Sequence, residues 1–407
     1  MFLDLLRRRN PALLGAAAGL ALRGDIPPNS YVMDLDTVRD NGRVLRAEAE
    51  RLGLKLYFMT KQHGRNPAVT RALVDGDRPE TVAVDIDDVD ALARHAFRLG
   101  HVGNLVQIPR ASLPRVVGEL RPEVMTVFSV AKAAQVAAAA RAVEHEQAIL
   151  LRVADPGRDT YLPGMEGGIP LDGLARAAAE IRRLQGVRVE GVTTFPALSY
   201  RDVAEPRATS NFQTLLTARD ILAREGLRIS QINAPGNTCV YTMETQAQLG
   251  ATHVEPGHGA LGTTPFHLLV DGLPERPAYC YVTEVAHHVG GRAYVYGGGF
   301  FVDDPVWLAS DFQRFALVGQ SVDELLGHRE RFLGAGSGSS GSFGGIDYYG
   351  FLDADERRAP VGATVIFGFR IQAFVTRAKV AVVRNVQSHP ELVGIWDTNA
   401  HPLAAAA

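Results

Sequence analysis

Cysteine is nearly missing from these 407 residues: Cys239 and Cys280 are the two present, and they make neither a disulfide framework nor a metal-ligand spacing. Such sparing use suits a reducing compartment, and a cytoplasmic location is the expectation. A surplus of charge is missing too. The formal net charge is -3 and the arginines are scattered, so no basic stripe stands ready for a polyanion and nucleic acid is not an expected partner. Long apolar runs are equally scarce, none approaching the length that spans a bilayer, and no membrane partner is expected. Arg7-Arg8-Arg9 ahead of Ala12–Leu22 superficially resembles a secretory leader. Yet Phe2, Leu3, Leu5 and Leu6 lie upstream with Asp4 among them, and Asn10-Pro11 reads as a cap followed by a first-turn proline. Two short helices, Phe2–Arg9 and Pro11–Leu22, account for the segment better.

What the chain has is alternation. Hydrophobic residues make up 46% of it, enough for a large core and a smaller one. After an extended segment at Ser30–Leu35, eight strand-like runs follow: Leu54–Thr60, Thr81–Asp85, Asn104–Ile108, Val124–Phe128, Ala148–Val153, Val187–Phe195, Arg228–Asn233 and Thr252–Glu255. Helical stretches lie between them, among them Asp87–Arg98, Val130–Glu144, Leu171–Leu184, Asn211–Glu225 and Thr242–Leu249. Strands alternating with helical crossovers predict an α/β fold with a parallel sheet, and eight units suggest a closed (β/α)8 barrel of the TIM type. An open doubly wound sheet would alternate similarly. Beyond Pro274 the texture turns β-prone, at Ala278–Val285, Arg292–Tyr296, Ala363–Phe369 and Phe374–Val383, which predicts a mainly antiparallel β domain. The expected division is therefore an N-terminal helical segment at 1–29, a barrel at 30–273, a β domain at 274–400 and a frayed tail at 401–407. The glycine-serine stretch Gly334–Gly345 reads as a linker or a mobile loop.

Two strand ends carry chemistry. Lys61 follows Leu54–Thr60, and a lysine leaving a buried strand is a candidate Schiff-base former. Glu255 follows the eighth run and precedes Pro256-Gly257-His258-Gly259. In a barrel the first and last strands are neighbours, so both residues would stand at the C-terminal mouth. An amine, a carboxylate and a glycine turn match what pyridoxal 5′-phosphate (PLP) requires: a bond to its aldehyde, a partner for its pyridine nitrogen and N–H donors for its phosphate.

The residues also carry a family resemblance. Asp34–Asn41 (DLDTVRDN) resembles the opening of alanine racemase-like, fold-type III PLP proteins, and Lys61 stands where that family has its PLP lysine. A closer similarity is to YhfX-type PLP enzymes, on Met59–Pro67, the Glu255–His258 run, the triple glycine Gly297–Gly299 and Ile346–Tyr349. The resemblance implies a barrel followed by a β domain, working as a head-to-tail homodimer in which each β domain completes the partner's site. It implies that Lys61 holds PLP and moves a proton on one face. Gly236, Asn237 and Thr238 after strand seven, next to Asn233, and Gly257 and His258 after strand eight would hold the cofactor. Arg65 replaces a phosphate-binding tyrosine, and would serve the phosphate or an acidic substrate group. Thr194 replaces a histidine that stacks on the ring, and Arg152 stands near the place of a lysine of alanine racemases. Glu255 replaces an arginine and favours the protonated pyridine, a stronger electron sink. Tyr296 is the expected second base, with Tyr348 and Tyr349 as competitors and Asp347 lining the substrate. Cys239 is expected to be a buried filler. His287-His288 cannot easily share one ion, since adjacent strand residues point to opposite faces, and no metal is expected.

The expected function is thus a PLP-dependent amino-acid racemase or epimerase acting by α-proton abstraction on a small amino acid or amine. Another PLP carbanion reaction, such as a lyase, dehydratase or decarboxylase, and a non-catalytic PLP-binding protein are the alternatives. Arg65, Arg152 and Arg158 leave room for a further acidic group on the substrate.

Overall fold

A computed structural model describes residues 2–155, 167–199, 205–301, 314–336 and 346–405. The chain divides into two compact units. One comprises Gly42–Thr60 and Leu73–Ala260, and the other Met1–Asn41, Lys61–Ala72 and Leu261–Ala407.

The first of these holds a parallel sheet of nine segments in the order Lys55–Leu56, His253–Val254, Gln231–Asn233, Val187–Thr193, Gln147–Ala154, Val124–Val127, Leu99–Val102, Thr81–Ala83, Phe58–Met59. The two end segments are halves of one stretch of chain interrupted at Tyr57, so eight strand positions close into a TIM-like ring. Leu56 pairs with Val254 on one side while Phe58 pairs with Thr81 on the other. Helices Ile86–Arg94, Val130–Arg141, Leu171–Ile181, Ser210–Arg224 and Val240–Gln248 form the crossovers. Side-chain caps start two of them: Asp85 accepts from Asp88 N and Ser129 from Lys132 N.

One strand lies elsewhere than expected. Asn104–Ile108 is irregular, with Val106 49% exposed, and the third barrel strand is Leu99–Val102. Gly100 and His101 hid it, because neither reads as apolar. Gly100 is required by space, since a Cβ there would lie 2.4 Å from Pro79 O and 2.6 Å from the Tyr57 ring. Gly103, at φ +78°, then turns the chain out of the strand.

The other unit is built on a mainly antiparallel sheet. Six strands, Arg292–Tyr296, Tyr349–Leu352, Arg329–Gly336, Arg314–Gly319, Thr364–Phe367 and Tyr279–Val289, close on themselves because the last pairs with the first. From Tyr279–Val289 the sheet continues through Ser30–Asp34, Lys379–Arg384, Glu391–Asp397 and Pro402–Ala405. Two details differ from the expected boundaries. Ser30–Asp34, expected to open the barrel, is an inner strand here, antiparallel to Tyr279–Val289 and parallel to Lys379–Arg384. Pro402–Ala405, expected to fray, pairs with Glu391–Asp397. Of the glycine-serine stretch, Gly334–Gly336 ends a strand and 337–345 lie outside the described residues.

Helices Phe2–Arg9 and Pro11–Leu22 form as expected, and Leu13, Leu14, Ala17 and Leu20 pack on Val282, Leu317, Ile366 and Ala381 of this sheet. Each leucine buried there contributes about 1.5–3 kcal/mol. Asp34 joins strand to helix: its Oδ2 accepts from Thr37 Oγ1 at 2.6 Å and Asn10 Nδ2 at 2.9 Å. That fixes a physical role for the Asp34–Asn41 motif. Among the described residues no helix is long and apolar enough to cross a membrane.

Candidate active site

Glu255 follows the last barrel strand, and its side chain is fully buried. Such a carboxylate is tolerated only where donors surround it. His101 Nδ1 lies 2.5 Å from Oε1, Asn233 Nδ2 donates to Oε1 at 2.8 Å, and Asn104 Nδ2 donates to Oε2 at 3.0 Å. Asn233 ends the seventh strand and also donates to Thr193 Oγ1, at the end of the sixth, at 3.2 Å. His101 Nε2 meets Thr126 Oγ1 of the fourth strand at 2.5 Å. The network thus gathers side chains from the third, fourth, sixth, seventh and eighth strand positions near the C-terminal end of the barrel, where barrel enzymes keep their sites. A carboxylate offers about four acceptor positions. Three are taken by this network, leaving one on Oε2.

Behind the network, Arg152 Nη1 donates to Asn104 O at 2.7 Å and its Nε to Gly167 O at 3.1 Å, with the guanidinium 5.2 Å from the Phe128 ring centre. Arg152, expected to leave room for an acidic substrate group, thus steadies the residue that holds Glu255 Oε2. Arg158 lies outside the described residues. Tyr57 packs 5.5 Å from the His253 ring. Burial, then Glu123 and Glu255, raise its hydroxyl pKa, while burial, then Lys55 and His101, depress His253 to about 3.

Three loops at this end press together through glycines. Gly236, at φ +151°, has Leu198 N 3.0 Å from where a Cβ would stand, and at Gly259 a Cβ would lie 2.1 Å from Thr238 O. The segments Gly236–Thr238 and Gly257–His258, expected to hold phosphate, are therefore brought against one another and against the loop after strand six. Asn237, at φ +49°, donates from Nδ2 to Ser199 O at 2.9 Å, and Thr238 Oγ1 accepts from Gln246 Nε2 at 3.2 Å. Cys239 is buried and caps helix Val240–Gln248, its N–H donating to Thr242 Oγ1 at 2.9 Å. Thr194 is buried just past the sixth strand. One spare acceptor on a buried carboxylate fits a pyridine N–H.

In the other unit, Lys61 begins a short 3-10 turn, Lys61–His63, two residues after Met59, whose N–H donates to Pro256 O. Its Nζ lies 5.8 Å from the Phe374 ring centre, and the Arg65 guanidinium lies 5.1 Å from the same ring. The turn is held rigidly. Asn66 Oδ1 caps helix Pro67–Leu73, accepting from Ala68 N at 3.0 Å and Val69 N at 3.2 Å, and His63 Nε2 meets Thr70 Oγ1 at 3.1 Å. Burial depresses His63 to about 3. Arg65, expected near the phosphate or an acidic substrate, donates from Nη1 to Thr398 O at 3.1 Å and Asn399 Oδ1 at 3.2 Å. Its left-handed backbone, φ +54°, aims it there.

Tyr296 and Tyr348 flank the triple-glycine turn and are 43% and 60% exposed. Asp347, expected to line the substrate, anchors this turn: Oδ2 accepts from Gly298 N and Phe300 N, both at 3.0 Å, and Oδ1 pairs with Arg377 at 3.1 Å. The glycines answer to space, since a Cβ at Gly297 would lie 2.1 Å from Asp347 O and one at Gly299 would lie 2.4 Å from the Tyr281 ring. Tyr349 is half-buried beside Tyr294 and His287. The ring of His287 stacks on Tyr294, whereas His288 Nε2 lies 2.8 Å from Ala359 O.

His101, Asn104 and Thr126 are functional candidates that sequence reasoning missed. The one available signal was a histidine inside an otherwise apolar strand segment, Leu99-Gly100-His101-Val102.

Comparison with known proteins accords with this arrangement. Residues 33–265 match the family model "Alanine racemase, N-terminal domain", and residues 280–392 match "YhfX-like, C-terminal domain". The chain is 37% identical over 407 residues to "Uncharacterized protein YhfX" of Escherichia coli (strain K12), covering all of both chains. Solved structures share the fold at low identity. A D-threonine aldolase from Filomicrobium marinum superposes with a TM-score of 0.61 at 16% identity, covering 91% of this chain and 95% of its own. An alanine racemase of Clostridium difficile 630, in complex with cycloserine, gives 0.60 at 17%, covering 91% and 98%. The chain belongs to the YhfX-like branch of the alanine racemase-like, fold-type III family, whose cofactor is pyridoxal phosphate.

Proposed function

We propose that this chain is a PLP-dependent amino-acid racemase or epimerase. The observation that carries the reading is Glu255: a buried carboxylate at the barrel's C-terminal end, with three donors and one acceptor position to spare. Lys61 would hold the cofactor's aldehyde carbon, Glu255 its pyridine nitrogen, and the backbone of Gly236–Thr238 and Gly257–His258 its phosphate, with Thr194 and Asn233 bordering the ring. When bound, PLP supplies an electron sink for negative charge at the substrate's α-carbon.

The remaining work falls to the chain's own groups. Glu255 favours a protonated ring through opposite charge and so strengthens the sink. Lys61 Nζ takes the α-proton on one face of the substrate. A tyrosine hydroxyl supplies a proton on the other, and Tyr296 of the partner subunit is assigned that role, with Tyr348 as its rival. Both are exposed on the β unit, as donors awaiting a second copy would be, and a head-to-tail homodimer is part of this reading. The acting substrate is a small amino acid or amine in solution.

A second reading, a PLP-dependent lyase, is favoured by the same Glu255, because a strong sink also supports elimination, decarboxylation and retro-aldol cleavage. A D-threonine aldolase is among the proteins that share the fold. The test has two steps. Wild type and Lys61→Ala are compared by visible absorbance, borohydride reduction and peptide mapping; reduction onto Lys61 is expected, and a protein that stays colourless with added PLP would end the reading. Amino acids are then incubated in deuterium oxide. Deuterium at the α-carbon with loss of optical rotation supports racemisation, whereas stoichiometric ammonia, carbon dioxide or aldehyde assigns the lyase.

A further inference from the structure

The network around Glu255 contains more than a pyridine partner requires. One carboxylate would suffice to face a ring nitrogen, yet a fully buried histidine is bonded to it, and a threonine to that histidine. Amide donors reach both carboxylate oxygens, Asn233 Nδ2 at Oε1 and Asn104 Nδ2 at Oε2. A carboxylate only accepts, so His101 Nδ1 carries the hydrogen of that contact. The Thr126 hydroxyl can then donate to Nε2.

We infer that His101 is a positioning residue that keeps a shared proton on the cofactor ring. The inference rests on the functional reading above. With PLP bound, one proton would be shared between Glu255 and the ring nitrogen. When it sits on nitrogen, Glu255 is an anion and the ring a cation; when it moves to Glu255, both are neutral and the sink is weakened. Hydrogen bonds to the anionic form favour that form. The His101 N–H therefore holds the proton on the ring, while Asn233 and Asn104 fix the carboxylate's direction, with Arg152 behind Asn104. His101 never touches the cofactor in this role, and Thr126 acts at one further remove, by setting the tautomer.

The test uses protein loaded with PLP labelled with nitrogen-15 in the ring. Wild type is expected to show a ring resonance of the protonated kind. In His101→Phe the resonance moves toward the unprotonated kind and PLP binds roughly tenfold more weakly, the worth of one hydrogen bond to a charged group. His101→Asn, which returns an N–H near the place of Nδ1, restores both, and Thr126→Val gives a smaller shift. If His101→Phe loads PLP with an unchanged ring resonance, the inference is overturned. Should His101→Phe fail to fold, the Asn and Val variants decide: equal resonances in wild type and Thr126→Val, with equal affinity, count against it. The apoprotein separates the two readings. A downfield proton from His101 Nδ1–H, lost in Glu255→Gln, reports the pair whether or not PLP binds. Its absence overturns the inference, and its presence in a protein that never binds PLP overturns the functional reading instead.

Discussion

Two polar clusters in this protein are built on opposite principles. Around Glu255, side chains from distant strands meet out of contact with water, and every donor described reaches the carboxylate or the histidine bonded to it. Around Asp347, the carboxylate is spent on two backbone N–H groups and Arg377, and what reaches the surface are Tyr296 and Tyr348. The first cluster is assembled within one chain, with one acceptor position on Glu255 left open. The second is a rigid pedestal for groups that act, on the reading proposed here, in the partner's site. On that reading, a polar cluster assembled within one chain serves cofactor tuning, and one held out on a braced turn serves work across an interface.

The largest effect that would test this contrast is kinetic. Tyr296→Phe is expected to lower α-deuterium exchange by about 10²–10⁴-fold, the usual worth of a general acid or base, while leaving urea unfolding unchanged. Tyr348→Phe should change exchange little. If the loss falls on Tyr348→Phe instead, the two roles are exchanged, and if it falls on neither, the pedestal carries no base.

Next comes the energetic half of the contrast. Glu255→Leu strands the donors of His101, Asn233 and Asn104 in a buried place, each worth about 1–3 kcal/mol when unsatisfied, so a loss of about 3 kcal/mol or more is expected in urea unfolding. Asp347→Ala releases partly buried backbone donors that water can reach, and about 1–2 kcal/mol is expected. Equal losses would erase the distinction between a sealed network and a braced turn. Gly259→Ala, whose added Cβ would meet Thr238 O at 2.1 Å, should cost about 1–3 kcal/mol and weaken PLP binding.

The sequence made much of this legible, for local reasons. Lys61, Glu255 and the glycine segments sit in short contiguous motifs at strand ends, and a periodic alternation betrays a barrel without any knowledge of contacts. Long-range partnership stayed hidden. His101 and Glu255 stand 154 positions apart, and nothing in Leu99-Gly100-His101-Val102 advertises a strand, since its glycine is set by the neighbouring backbone and its histidine by a carboxylate folded in later. Ser30–Asp34 does read as extended, but an apolar strand does not name its sheet, and its neighbours come from residues 279–282 and 379–383. Motif places Arg65 and Asp347 at a ligand, and says nothing of the partners that brace them, which for Arg65 are Thr398 and Asn399 and for Asp347 the glycine turn. Charged residues look alike in sequence whether they meet ligand or backbone.

The smallest expected effect lies in pH, and it compares one histidine from each unit. Burial holds His63 at about 3, well below its ordinary 6.5, and His253 is depressed similarly by burial, then Lys55 and His101. In the unfolded chain each takes a proton below 6.5, and in the folded chain neither does until far lower. The unfolded state therefore binds more protons in that window, so the stability these groups confer is complete above 6.5 and is lost as pH falls toward 3. The slope is at most about 1.4 kcal/mol per pH unit for each, and His63 alone accounts for about 1 kcal/mol between pH 7 and 5.5. His253 is only half-buried, so its share should be smaller. Urea unfolding across that range should show stability falling with acid, and His63→Leu should flatten the fall by about 1 kcal/mol. A slope that survives His63→Leu unchanged would mean that water reaches the ring, and with it that the turn carrying Lys61 is looser than its bonds to Thr70 and Asn66 require.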